Sequence, residues 1–186
     1  MRVLERPRRE TESWRAAEPP PIALRAATRA DSDFVAALAD EAFGHLGNYR
    51  RILAGWFAHA GVHTEIAQCG DALLGFVMFA FIRADEDQPP IADIVAIAVH
   101  PAERRRGLGR RLLATALTRI SHAAPLVGAS RVGLSVAADN VAARALFESA
   151  GFRHLAAGDG RYPNGQPYLR LARALVAPQD AQRRTA

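Results

Sequence analysis

From His100 to Leu113 the chain reads HPAERRRGLGRRLL, and this stretch holds the residues best suited to binding an anion. Arg104, Arg105 and Arg106 stand directly before Gly107-Leu108-Gly109, and Arg110 follows. Glycines at the start of a helix let backbone come very close to a ligand. The first amides of a helix lack internal acceptors and lie at the positive end of its dipole. Phosphate is the usual anion at such a place, and flanking guanidinium groups add forked donors. The stretch therefore suits a pyrophosphate held mainly by backbone amides. A nucleic-acid patch and the solvated end of an ordinary helix are the other two readings.

The elements around this stretch must position it. Ile94 to Val99 is an unbroken apolar run, as in a strand buried on both faces at the centre of a sheet. On the far side Leu108, Leu112, Leu113, Ala116, Leu117 and Ile120 recur at helical spacing. Upstream, residues 22–28 suit a short strand. Helical stripes follow, one through Phe34, Val35, Leu38 and Ala42, the next through Tyr49, Ile52, Leu53, Trp56 and Ala60. Gly70-Asp71 marks a hairpin between two strand-like runs. Downstream, residues 131–136 alternate as a strand, Asn140 starts a short helix closed by Gly151, and residues 152–158 and 167–175 are strand candidates. The order β-α-α-β-β-β-α-β-α-β-β is that of an α/β domain with a mixed sheet. Residues 1–20 and 177–186 read as a disordered arm and a flexible tail around one domain at 21–176.

Composition narrows the classes. The chain has 186 residues, 49% of them apolar, enough for one globular domain with a full core. No apolar run approaches the ~18 residues that span a bilayer, and the Arg- and Glu-rich N-terminus does not read as a secretory signal. A single cysteine, Cys69, forms neither an internal disulfide nor a Cys-based zinc site, so a reducing cytoplasm is the expected compartment. The six histidines show no metal-ligand spacing, and no metal is expected. All 24 Lys+Arg residues are arginine, which excludes a P-loop and Schiff-base chemistry. The net charge of +5 is small and spread out, so nucleic acid is not the expected partner.

A dinucleotide fingerprint would need a third glycine at position 112, where the chain has Leu112. Read together, AVHPAERRRGLGRRLL and LSVAADNVAARALFESAGF resemble the GNAT superfamily of acetyl-CoA-dependent N-acetyltransferases. The first signature, Arg/Gln-x-x-Gly-x-Gly/Ala after a strand and Val-x-Pro, is met by Arg104, Gly107 and Gly109 after Val99-His100-Pro101. The second is met by Asn140, Ala143, Leu146, Phe147, Gly151 and Phe152.

The resemblance implies an acyl-CoA N-acyltransferase fold, with a mostly antiparallel central sheet flanked by helices. It implies that backbone of Ile97, Ala98 and Val99 pairs with the pantetheine arm. Amides at Arg105, Arg106, Gly107, Leu108, Gly109 and Arg110 would hold the pyrophosphate. Asn140 would bond the pantetheine or steady its loop. The acceptor it implies is an amine, on a small molecule or a peptide, attacking the thioester directly in a ternary complex; homodimers are common among relatives. Many relatives carry at position 147 a tyrosine that protonates the departing thiolate, and Phe147 cannot. Either the thiolate leaves unaided or another group supplies the proton; Tyr162 and Tyr168 qualify only if the fold brings them close. The alternative is a catalytically silent acyl-CoA-binding module. An attacking ammonium must first lose a proton. Asp93, at the start of the central strand, and Glu65, on the preceding hairpin, are the candidate bases. The acidic loop Asp85-Glu86-Asp87 is a candidate attractor for a cationic acceptor.

Overall fold

The apolar run ending at Val99 is the fourth strand of an eight-stranded sheet in the computed structural model, which describes residues 20–83 and 87–175. The N-terminal arm (save Pro20), the C-terminal tail and Asp85-Glu86 lie outside the described residues.

In chain order the elements are β1 (Ala23–Ala26), α1 (Ser32–Phe43), α2 (Tyr49–Phe57), β2 (Val62–Cys69), β3 (Ala72–Ile82), β4 (Ile91–Val99), α3 (Leu108–Val127), β5 (Arg131–Ala137), α4 (Val141–Ser149), β6 (Arg153–His154), β7 (Gly160–Arg161) and β8 (Pro167–Ala174). The sheet runs β1-β2-β3-β4-β5-β8-β6, with β7 also on β8. Only β4 and β5 pair in parallel; the other pairs are antiparallel. A mixed, mostly antiparallel sheet flanked by helices is the architecture expected.

Two apolar layers cover the sheet. On one face α3 supplies Leu112, Leu113, Ala116 and Ile120, which pack with Val77, Ile94 and Val132; Phe147 of α4 and Phe152 complete the layer. On the other, Val35, Leu38 and Ala39 of α1 and Leu53 of α2 cover Ile66, Phe76 and Met78. Gly70, at φ +57°, makes the β2–β3 turn that the Gly-Asp dipeptide indicates.

Several boundaries differ from the sequence reading: α2 ends at Phe57, short of Ala60, and β7 is an added bridge at Gly160–Arg161. The periodicity of α3 fades near Ile120, yet the helix continues to Val127. Pro125 is tolerated there because it forfeits only one amide close to the helix end. The strand expected at 152–158 shrinks to two residues. After the Leu155 amide donates to the Arg170 carbonyl (2.8 Å), a 3-10 turn forms at Ala156–Gly158. Asp159 then accepts from the Arg170 amide at 2.8 Å and contacts His154 Nε2, so side-chain bonding replaces the ladder.

Candidate active site

A single extra residue in β4 shapes the centre of the molecule. Met78 pairs with Ala96 and Phe79 with Ile94, so Val95 is left over as a β-bulge. The bulge changes the phase of the strand. Ala92 and Ile94 face the α3 layer, but Ala96 and Ala98, which strict alternation would place beside them, pack on the α1–α2 side. At the same point β4 leaves β5. Their pairing is confined to Ala92↔Val132, Asp93↔Gly133 and Ile94↔Leu134. β4 continues along β3 to Val99 and β5 continues along β8 to Ala137. The facing edges, residues 95–99 and 135–137, thus have no strand partner across the gap. Ile97, Ala98 and Val99 lie on that open edge, where an extended group can add to the sheet.

Beyond Val99 the chain makes a 3-10 turn at Pro101–Glu103 and reaches α3 through Arg104, Arg105, Arg106 and Gly107. Among the described residues, none of the amides at 105–110 donates to a backbone carbonyl. Arg105 at φ +64° and Gly107 at φ +82° are both left-handed. Such residues turn neighbouring amides toward one side, as in an anion nest. Gly107 has open space where a Cβ would stand, whereas a Cβ at Gly109 would lie 3.5 Å from Leu146 Cδ2. Leu108 is buried and anchors the turn. The arginines divide. Arg104 Nε donates to the Val99 carbonyl (3.0 Å), and Arg106 pairs with Glu103 (2.7 Å). Arg105 and Arg110 make no side-chain bond among the described residues and stay available to an anion. The glycine pattern pointed to this turn; the strained backbone at Arg105 has no sequence signal.

Two cavities meet at Ala96 and Tyr162. One, about 440 Å³, extends from the gap toward α4 and includes Ile97, Val136, Asn140 and Phe147. Asn140 caps α4, its Oδ1 accepting from the Ala143 amide at 3.0 Å. The other, about 290 Å³, lies between α2, β4 and the segment before β8, and is walled by Tyr49, Trp56, Tyr162 and Tyr168.

Asp93 lines the second cavity. Arg170 of β8 reaches across β5 to pair with it, and also contacts Ser135 Oγ at 3.3 Å. The reach requires Gly133, where a Cβ would stand 2.6 Å from the Arg170 guanidinium. Burial pushes the Asp93 carboxyl above the ordinary carboxylate range, and the charge and hydrogen bond of Arg170 pull it partly back. Sequence reasoning missed both Arg170 and Gly133, because their partnership exists only once β4, β5 and β8 lie side by side.

Phe147 is buried edge-to-face against Phe152, with ring centres 5.9 Å apart, and offers no proton. Tyr162 lines both cavities, and its hydroxyl makes no hydrogen bond among the described residues. Burial pushes that hydroxyl up to about 12, so it stays protonated at neutral pH. Tyr168 packs against Tyr162, but its hydroxyl is turned onto Gly160, where a Cβ would stand 2.5 Å away.

The structure does not bring Glu65 to these cavities. Glu65 lies on the opposite face of the sheet with Ala67, paired with Arg119 of α3 at 3.1 Å. Asp87 is exposed and lines neither cavity. The Cys69 thiol donates to the Pro20 carbonyl at 3.0 Å. Among the described residues no cluster of His, Cys, Asp or Glu suits a metal ion, and no helix is long and apolar enough to cross a membrane.

A sheet parted at a bulge, opposite a turn of unpartnered amides, is the architecture of an acyl-CoA-type acyltransferase fold. Residues 8–152 match the acetyltransferase (GNAT) family, and the chain belongs to it. Its fold is shared with Arabidopsis thaliana NAA60, solved with a bisubstrate analogue (TM-score 0.70, 17% identity, covering 84% of this chain and 99% of that one). It is shared too with yncA of Salmonella typhimurium, solved with its cofactor acetyl-CoA (TM-score 0.66, 19% identity, covering 83% and 94%). In sequence the chain is similar to the mycothiol acetyltransferases of Kocuria rhizophila (35% identity over 98 residues, 52% of this chain) and Rhodococcus erythropolis (33% over 103 residues, 55% of this chain). The matched regions cover only 31% and 33% of those relatives' lengths.

Proposed function

We propose that the chain is an acetyl-CoA-dependent N-acetyltransferase that passes the acetyl group directly to an amine in a ternary complex. The observation that carries this reading is the unpaired edge of β4 running toward the free amides at 105–110. Acetyl-CoA, when bound, supplies an acetyl thioester. Backbone of Ile97, Ala98 and Val99 would hold the pantetheine, and the amides from Arg105 through Arg110 the pyrophosphate, with Asn140 and Phe147 walling the arm. No metal is called for.

The amine enters from the cavity walled by Tyr49 and Trp56. Asp93, paired with Arg170, takes a proton from the incoming ammonium directly or through water, which frees the lone pair. The C–N bond forms as the C–S bond breaks. Tyr162, at the junction of the cavities, is suited to the proton delivery that Phe147 cannot make. Its hydroxyl donates to the sulfur as the thiolate leaves and recovers a proton from the acylated nitrogen. A thiolate with a parent pKa near ~8.5 is a tolerable leaving group, so Tyr162 assists a step that is not prohibitive without it. Holding both reactants in one cleft supplies most of the rate.

This reading takes residues 21–176 as the catalytic unit, a cytoplasmic setting and an amine on a small molecule or peptide, with no role for nucleic acid or membrane and with homodimers admissible. Thiol release from acetyl-CoA over a panel of amines tests it. Acetyl-CoA binding without turnover on any amine would instead favour the silent acyl-CoA module that Phe147 suggests.

A further inference from the structure

The cavity beside Asp93 has a chemistry that selects its occupant. At about 290 Å³ it lies near the lower end of the ~300–1,000 Å³ range of small-molecule pockets. Aromatic and aliphatic side chains make most of its wall, with Phe43 and Tyr49 in ring contact at 5.8 Å and Tyr49 and Tyr162 at 6.2 Å. Ile52 and Trp56 also line it, yet remain 38% and 39% exposed, large apolar groups left open to water. The charges oppose a polycation. Asp93 is neutralised by Arg170, and Arg161, whose Nη1 is tied to the Gly165 carbonyl at 2.7 Å, adds a positive group to the wall. Asp139 belongs to the other cavity and accepts from Gln166 at 2.7 Å.

We infer that the acceptor is a primary amine borne by an aromatic or large branched aliphatic group, with no second positive charge. The inference rests on the transferase reading for the role of the amine, but the cavity's preference can be measured without turnover. The apolar group lies against Tyr49, Ile52 and Trp56 and directs the amine toward Asp93. Polyamines and lysine-type diamines are disfavoured because their second ammonium meets Arg161 or an apolar wall. A free amino acid and the first residue of a peptide present the same group, and Arg161 tolerates the carboxylate of the former.

The test is equilibrium binding followed by Trp56 fluorescence in a Trp14→Phe variant, which leaves Trp56 as the sole tryptophan. Phenylalaninamide, leucinamide, glycinamide and spermidine are titrated with CoA present. Phenylalaninamide and leucinamide should bind about thirtyfold more tightly than glycinamide, a ratio worth about 2 kcal/mol. Spermidine should be at least as weak as glycinamide. Tyr49→Ala should remove most of the difference, and Arg161→Glu should strengthen spermidine binding severalfold. Free phenylalanine and a peptide beginning with phenylalanine then separate the two sources of the amine. Equal or tighter binding of spermidine or glycinamide, or no response to any amine, overturns the inference. Selective binding without acetyl transfer leaves the preference standing and overturns the transferase reading alone.

Discussion

Arg170 reaches from β8 over the bare backbone of Gly133 in β5 to pair with Asp93 on β4, so one ion pair bridges three adjacent strands just before the sheet parts. Asp93→Asn should lower kcat by about 10²–10⁴-fold, the usual range for a lost general base, while leaving acetyl-CoA binding unchanged. Arg170→Met strands a partly buried carboxylate and should cost about 2 kcal/mol of stability. It also removes the two influences that hold the Asp93 pKa down. Because protonated Asp93 cannot accept a proton, the acidic limb of the rate profile should move to higher pH. Steady-state kinetics between pH 5 and 9, with denaturant melts, check both expectations; an unmoved acidic limb would remove Asp93 from the mechanism.

Tyr162→Phe should reduce kcat by about a hundredfold with little change in the KM for acetyl-CoA. A hydroxyl restored on α4 should compensate, so Tyr162→Phe combined with Phe147→Tyr should recover most of the loss. A purely structural role for Tyr162 would show no such rescue.

Gly109→Glu should abolish acetyl-CoA binding, because it puts a carboxylate among the amides that the proposed reading assigns to the pyrophosphate. For the wild type, ligand at ~100 times Kd adds ~2.7 kcal/mol, which should raise Tm by roughly 5–10 °C. The variant should fold but show no rise. A ligand-induced shift of equal size in both proteins would place the pyrophosphate elsewhere.

Asp31 ties β1 to the start of α1. Its carboxylate accepts from Arg25 Nη1 and Nη2 at 2.8 Å and from the Thr28 amide at 2.7 Å. The Arg25 hydrogen bond, foremost, holds it well below the usual carboxylate range. A depressed native pKa contributes stability that is fully present above the unfolded value near ~3.9 and is lost as pH falls through the native value. Asp31→Asn should therefore cost about 2 kcal/mol at pH 7, and the difference from wild type should shrink as pH falls below ~4. Urea melts at pH 3, 5 and 7 measure it.

Much of this was legible in the sequence because it is local. Gly107 and Gly109 announce the turn before α3, Asn140 announces the cap of α4, and the run to Val99 announces a central strand. The parting of β4 from β5 was not legible. It depends on Val95 being surplus to β3, which is a property of two strands in register and not of either sequence alone. Glu65 reads as a candidate base because it lies on a nearby hairpin, but alternation turns it to the α3 face, toward Arg119. Tyr162 could be named in the sequence but not placed, since the short pairing of β7 with β8 and the bond from its amide to the Gln166 carbonyl set its position.

The bulge at Val95 also bears on self-association. Unpaired strand edges normally lie at the rims of sheets, where they recruit other chains. Here the rims are short, four residues in β1 and two in β6, while the longer vacant edge is recessed in the sheet. Phe43 of α1 and Phe147 of α4 stand beside it, lining the cavity into which it opens. Among the described residues the longest unpaired stretch of strand edge thus lies within the sheet and away from its rims.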